Sequence, residues 1–306
     1  MYVTDWLLDS DPSIRWQVMR DLTHAPDDVI AAERARVATE GWGSQLLDLQ
    51  RPDGGWSDIE EPKMFVETVD GSAMYGLAQL RDLGLDPGSE QARRAVGLVR
   101  DNVRFYEGNQ PFFTGEVEPC INGKVVAAGA YFGQDVQGVV DRLLGEQLDD
   151  GGWNCEAERG SVRSSFHTTI DVLEGLLEHE RATGGSTEVT AARRTAHEYL
   201  LERRLLRRLS TGEVIETDWT LFSYPPGWHY DVLRGLDYLR SAGVEPDDRM
   251  AEAIDVVEKN RGEDGRWPLQ NPHPDGLPFP METPGEPSRW NTLHALRVLM
   301  WAGRGG

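Results

Sequence analysis

Both cysteines of this 306-residue chain stand beside other residue types that bind metals. Cys120 closes the run Glu118-Pro119-Cys120, Cys155 closes Trp153-Asn154-Cys155, and His167 sits in Phe166-His167-Thr168-Thr169. Two thiolates, an imidazole and a carboxylate suit tetrahedral Zn²⁺. A zinc site with one labile or water-filled position is catalytic, because the metal activates a bound water or thiol at neutral pH. The competing reading is plainer: a free cysteine often only packs, and a histidine at a helix start is often a cap or a satisfied polar group. Both thiols and the imidazole nevertheless fall within 48 residues, counted from Cys120 to His167.

A repeat positions these residues. Residues 46–56 read LLDLQRPDGGW, 143–153 read LLGEQLDDGGW, and 256–267 read VVEKNRGEDGRW. Each is an apolar helix end, then Gln or Asn, then an Asp-Gly turn that delivers a Trp. Glycine just past a helix end accepts left-handed dihedrals, and the Trp can fold back over the end of a neighbouring helix. The tryptophans Trp56, Trp153 and Trp267 are 97 and 114 residues apart, which is about two repeats of roughly fifty residues each.

Between these turns runs a second series of helices, with starts near Ser13, Thr68, Pro119, Phe166, Trp228 and Arg289. Charged amphipathic helices alternate with them over 28–50, 89–103, 134–147, 187–205 and 247–260. Their apolar residues recur at a helical period and their other face is rich in Arg and Glu, as an outer solvated layer requires. Six such hairpins stack into an open solenoid or close into a ring.

The Gln-to-Trp turns resemble the QW repeats of squalene and oxidosqualene cyclases, and six hairpins is the count that closes that family's toroid. The resemblance covers essentially the whole chain. It implies one all-α domain over residues 1–306, an (α/α)6 toroid of the terpenoid cyclase and protein prenyltransferase superfamily. In such a toroid the loops 108–117, 156–165, 209–227 and 268–287 precede inner helices and gather at one mouth. Loops on a rigid scaffold are where sites are usually built.

In the β subunits of protein farnesyl- and geranylgeranyltransferases, zinc is held by an Asp-x-Cys at the start of one inner helix and a His at the start of the next. Glu118-x-Cys120 and Phe166-His167-Thr168 are similar in sequence and in helical position. The resemblance implies Cys120 and His167 as zinc ligands, with Glu118 replacing the aspartate. Cys155 has no counterpart in that pattern, and either supplies the fourth position or displaces Glu118 from it.

Other inner helix starts bring Asp70, His229, Tyr230, Asp231, Arg289 and Trp290 to the same mouth. His229 or Asp231 would serve as a ligand in place of Glu118, or as a general base together with Asp70. The alternative for each is a helix cap or a rim ion pair. Asp171, Tyr230, Arg289 and Trp290 are candidates for substrate contact. Lys124 and Arg163 suit an anionic substrate group, helped by helix N-termini that point at the mouth. Asp171, Glu174 and Glu178 follow His167 at helical spacing, which suggests a partly wet lumen rather than an aromatic isoprenoid funnel.

The net charge of −21 repels phosphate backbones and anionic membranes, and so argues against nucleic-acid or membrane partners. The expected partner is a small-molecule or peptide substrate in the central barrel. No feature indicates the separate helical subunit that protein prenyltransferases use. Residues 1–10 lack a basic segment followed by an apolar run, and no stretch approaches 18 continuous apolar residues, so a cytoplasmic location is expected. Two cysteines make no disulfide framework, and a reducing compartment favours free thiols or metal ligands.

The function expected is that of a zinc-dependent enzyme that activates a thiol or water at the barrel mouth, for transfer of a prenyl or other small group. A cationic terpene cyclase needs a D-x-D-D acid motif, which this chain lacks; Glu216-Thr217-Asp218-Trp219 comes nearest. A non-catalytic binding module with structural zinc is a further alternative. So is an inverting glycosidase drawing two carboxylates from Asp70, Glu118 and Asp231.

Overall fold

Capped starts and glycine stops turn the sequence into α-helices, in a computed structural model that describes residues 2–56, 71–105, 108–273 and 279–304. In chain order these are α1 (Val3–Leu8), α2 (Pro12–Asp21), α3 (Asp27–Ala35), α4 (Gly41–Asp48), α5 (Gly71–Leu83), α6 (Glu90–Asn102) and α7 (Pro119–Tyr131). They continue with α8 (Gln137–Gly145), α9 (Phe166–Thr183), α10 (Thr187–Glu202), α11 (Val232–Ser241), α12 (Ala251–Lys259) and α13 (Arg289–Trp301). One antiparallel pair of two-residue strands, β1 (Trp267–Pro268) and β2 (Pro287–Ser288), brackets the loop before α13. The fold class is all-α.

Asp11, Ser89, Ser165, Asp231 and Ser288 accept first-turn amides of α2, α6, α9, α11 and α13. Each satisfies one of the donors that a helix start leaves orphaned. The expected starts near Ser13, Pro119, Phe166 and Arg289 fall where helices begin. The one near Trp228 comes four residues late, at Val232, because Asp231 is the cap; Thr68 lies outside the described residues.

The three Gln/Asn-to-Trp turns share two of their hydrogen bonds. Each indole Nε1 donates ten residues back: Trp56 to the Leu46 carbonyl at 2.8 Å, Trp153 to Leu143 at 2.7 Å and Trp267 to Val257 at 2.6 Å. Their backbone amides donate to hydroxyls on a later helix, Ser72 on α5, Thr169 on α9 and Thr292 on α13. Gln50 and Gln147 each donate 2.9 Å to a carbonyl on another helix, Ala95 on α6 and Ala192 on α10. Asn260 donates instead to the Thr220 carbonyl. Gly54 and Gly151 hold φ at 91° and 101°, and a Cβ there would lie 2.7 and 2.8 Å from the carbonyl oxygens of Leu98 and Thr195. Only glycine satisfies both demands. In this way the turn of Trp56 ties the end of α4 to α5 and α6, and that of Trp153 ties the end of α8 to α9 and α10.

The chain's contacts group it into two compact units. One comprises Met1–Ala31, His197–His273 and Met281–Gly306, the other Ala32–Ala196 and Pro274–Pro280. In the first unit the two ends of the chain meet. Arg289 donates to the Asp9 carbonyl at 2.8 Å and lies 4.6 Å over the Trp6 ring, while Arg297 on α13 donates to Gln17 on α2 and pairs with Asp21.

In the second unit α5, α7 and α9 pack side by side. α7 reads PCINGKVVAAGAY and is buried nearly all round, as a helix without a polar face must be. Gly123 and Gly175 let α7 and α9 touch backbone to backbone: a Cβ on Gly123 would lie 2.5 Å from the Asp171 carbonyl oxygen, and one on Gly175 would lie 2.4 Å from that of Gly123. The two helices run parallel. Cys120 is near Thr168 through Cys155, Lys124 meets Asp171, and Tyr131 feels the charge of Glu178. Both helix starts therefore lie at one end of this pair. Among the described residues no helix is long and apolar enough to cross a membrane.

Candidate metal centre

Glu118 is the residue before the first turn of α7, in extended backbone, and Pro119 takes the first helical position. Proline is suited to that place because its missing N–H would have no partner there. Unlike the residues at the starts of α9, α11 and α13, Glu118 makes no side-chain capping bond. Its Oε2 lies 3.6 Å from the Cys120 Sγ instead.

Cys155 arrives from the turn that ends in Trp153. The Trp153 amide is held by Thr169 at 3.0 Å, and its carbonyl accepts from Ser165 at 2.8 Å. Asn154 accepts from the Glu156 amide and donates to Ser161 and to the Arg163 carbonyl, closing the short 3-10 turn Cys155–Arg159. The Cys155 Sγ then sits 3.4 Å from Thr168 Oγ1 and 2.9 Å from the Cys120 Sγ. Among the described residues, Glu118, Cys120 and Cys155 form the group of three donors lying within 4.8 Å of one another. His167 is half-buried and does not join it.

The Cys120 thiol is pushed well above its ordinary value, first by its hydrogen bond with Cys155, then by burial, and further by the charges of Asp171 and Glu118. Without a cation the Cys120 thiol stays protonated. A bound metal ion reverses that, because a coordinating thiol is deprotonated outright. The donor set fits zinc, whose bonds of about 2.3 Å at tetrahedral angles place two sulfurs roughly 3.8 Å apart. From 2.9 Å the thiols need to part by about 0.9 Å to reach that spacing.

One turn beyond Cys120, the Lys124 ammonium lies 2.9 Å from Asp171. Both are nearly closed to solvent, with side chains 12% and 0% exposed. The two residues expected to contact substrate thus bind each other across α7 and α9. Arg163 is exposed, and its carbonyl serves the Cys155 turn. Asp70 lies outside the described residues.

The remaining candidates belong to the other compact unit, where structural duties account for most of them. Asp231 is buried and caps α11, accepting from the Arg234 amide at 2.8 Å and from Ser223. Burial raises its pKa to about 6 against those hydrogen bonds. Tyr230 is a core residue whose hydroxyl donates to the Leu205 carbonyl at 2.8 Å, which corrects the expectation that it contacts substrate. Trp290 is likewise buried, stacked on Tyr224 at 4.2 Å. Arg289 is bound to the N-terminal segment, as described above. His229 is half-buried between Trp228 and His273, with ring centroids 3.9 and 3.6 Å away.

The helix starts expected to attract an anion already hold one in two cases. Asp231 occupies that of α11. Glu282 occupies that of α13, accepting from the Arg289 amide at 2.6 Å and from Ser288, with burial raising its pKa. Nothing in the sequence pointed to Glu282, because a loop cap seven residues before its helix carries no local signature. Thr168 was also missed as the partner of Cys155, although it stands next to His167.

No protein-family model and no curated protein matches the chain. Among solved structures it is similar to the type II terpene cyclase MstE from Scytonema in its apo form, at 17% identity over 97% of this chain and 89% of that one, with a TM-score of 0.46. It is similar also to a variant of that cyclase in complex with geranylgeranyl dihydroxybenzoate, its substrate, at 15% identity over 100% and 88% of the two chains, with a TM-score of 0.47. At identities this low, what the centre does has to come from its own side chains.

Proposed function

We propose that the chain is a metal-dependent enzyme whose centre is one zinc ion held by Glu118, Cys120 and Cys155 at the start of α7. What supports this reading above all is the gathering of those three donors within 4.8 Å, in a chain with two cysteines. Three protein ligands with a fourth place open is the pattern of catalytic zinc, whereas structural sites are closed by four. When bound, the ion would supply Lewis-acid polarisation and a lowered pKa for a water or thiol in its open position.

The chain's own residues set the geometry. Thr168 and the Asn154 turn fix Cys155, and Pro119 fixes the approach of Glu118 and Cys120. Two thiolates and a carboxylate outweigh a divalent cation by one charge, so the centre favours a neutral or cationic partner over an anionic one. The closed Lys124–Asp171 pair one turn away makes the neighbourhood of the centre polar on that side. The reaction class is transfer or hydrolysis on a polar small molecule.

The test is metal analysis of protein purified without chelator and after reconstitution with zinc. One equivalent is expected in the wild type, with loss in Cys120→Ser, weakened retention in Glu118→Gln and full retention in His167→Ala. Affinity should fall as pH drops below neutrality, because the ligands must be deprotonated. A reconstituted wild type that holds no zinc overturns the reading.

A further inference from the structure

The sulfurs of Cys120 and Cys155 stand between two bonded arrangements. A disulfide needs them about 2.05 Å apart, and a shared zinc ion about 3.8 Å apart. At 2.9 Å they are roughly 0.9 Å from either, with closing and opening as opposite small excursions. Cys155 begins a short 3-10 turn whose far end is Gly160, in left-handed conformation at φ 94°.

The two thiols are not equivalent. Cys120 is 9% exposed and lies in the first turn of a buried helix, whereas Cys155 is half-buried in a surface loop whose next residues are exposed. An oxidant from solvent therefore meets Cys155 first, and Cys120 stands behind it within contact distance.

From this geometry we infer that Cys120 and Cys155 are a reversible thiol–disulfide pair, oxidised by peroxides, whose closure removes both sulfur donors from the metal centre. The sulfur of Cys155 attacks one oxygen of the peroxide, the O–O bond breaks, and water and a Cys155 sulfenic acid result. The sulfur of Cys120 then attacks the sulfenic sulfur, the S–O bond breaks, its proton leaves with the hydroxyl as a second water, and the S–S bond forms. Overall, two thiols and one hydrogen peroxide give one disulfide and two waters. A dithiol reductant restores the thiols. The regulatory consequence rests on the metal reading, but the disulfide itself does not.

The experiment uses the whole chain, stripped of metal with chelator and then treated with stoichiometric hydrogen peroxide. Free thiols are counted by alkylation, and products are identified by intact-mass and peptide mass spectrometry. The expected result is loss of both thiols together, an intact mass lower by two hydrogens, a peptide linking Cys120 to Cys155, and full recovery with dithiothreitol. Cys120→Ser should stop at a Cys155 sulfenic acid that dimedone traps. In Cys155→Ser the buried Cys120 should oxidise about tenfold more slowly than Cys155 does in the wild type. Sulfinic acid or intermolecular dimers in place of the internal link would overturn the inference, as would equal oxidation rates for the two single variants. A parallel sample reconstituted with zinc, carrying a zinc indicator, reads metal release on oxidation. Zinc uptake without an internal disulfide defeats the redox inference alone, and a disulfide in a chain that takes up no zinc defeats the metal reading alone.

Discussion

Replacing Gly123 with alanine sets helix propensity against packing. Gly123 lies inside α7, where Gly→Ala by itself favours a helix by about 0.8–1 kcal/mol. In the folded chain the new Cβ would lie 2.5 Å from the Asp171 carbonyl oxygen and 2.6 Å from its carbon. Comfortable contact begins near 3.5 Å, so α9 must retreat by about 1 Å. The obstacle is helix backbone rather than the tip of a flexible side chain, and Gly175 presses the same two helices together from the other side. Overpacking of this kind costs about 1–3 kcal/mol, and a rigid backbone neighbour puts it at the upper end. The net expectation is a loss of about 2 kcal/mol, opposite in sign to propensity.

Urea unfolding of Gly123→Ala should show a lower midpoint at unchanged slope. Gly97→Ala on α6 is the internal control, since its Cβ would meet only the Arg100 guanidinium tip at 3.9 Å; it should gain about 0.8 kcal/mol. Because Cys120 belongs to α7 and Cys155 is tied to α9 through Thr168, forcing the helices apart should also lower zinc uptake and the yield of the internal disulfide. Gly123→Ala as stable as the wild type, alongside a stabilised Gly97→Ala, would refute the close-packing argument.

Two further outcomes follow from buried polar contacts. Burial raises the Asp231 pKa from 3.8 to about 6, so its contribution to stability is fully present below pH 3.8 and is lost as pH rises through 6. That shift is worth about 3 kcal/mol. Asp231→Asn keeps a competent cap, so between pH 4 and 7 the wild type should lose stability relative to this variant by up to that amount; parallel pH profiles in urea unfolding would contradict it. Trp153→Phe keeps an aromatic ring but leaves the Leu143 carbonyl without the indole donor it has at 2.7 Å, and should cost about 2 kcal/mol by the same assay. A loss below about 0.5 kcal/mol would mean that the indole bond does not hold the turn.

The turns were legible because their physics is local. The glycine of positive φ two residues before the Trp and the indole that reaches back ten residues recur at fixed offsets in all three turns, and the amide six residues before the Trp recurs in two of them. Where the reading slipped, the missing information was local too, but of another kind. The helix expected over 28–50 breaks into α3, a 3-10 turn and α4, because Gly41 adopts φ 64°. The apolar period runs through that break without interruption, so periodicity alone could not find it.

The group proposed to hold the metal was legible in part. Glu118, Cys120 and Cys155 converge, whereas His167 was chosen by analogy of position, and the residue facing Cys155 is its neighbour Thr168. One residue along a helix turns the side chain by about 100°, so neighbours at one helix start can face different partners. The Lys124–Asp171 pair was invisible for a different reason, since it depends on the register of two helices 47 residues apart.

The behaviour of the helix starts separates α7 from its counterparts. Ser165, Asp231 and Ser288 turn their oxygens onto the amides of α9, α11 and α13, and Glu282 adds a carboxylate at α13. A carboxylate at such a position gains both the hydrogen bond and the favourable end of the helix dipole. Glu118 stands in the same position at α7 and forgoes that bond, with its oxygen turned toward the sulfur of Cys120. Acidic groups of two preferences thus mark the helix starts: Asp231 and Glu282 accept from backbone amides, whereas Glu118 accepts from the thiol of Cys120, beside which the proposed centre lies.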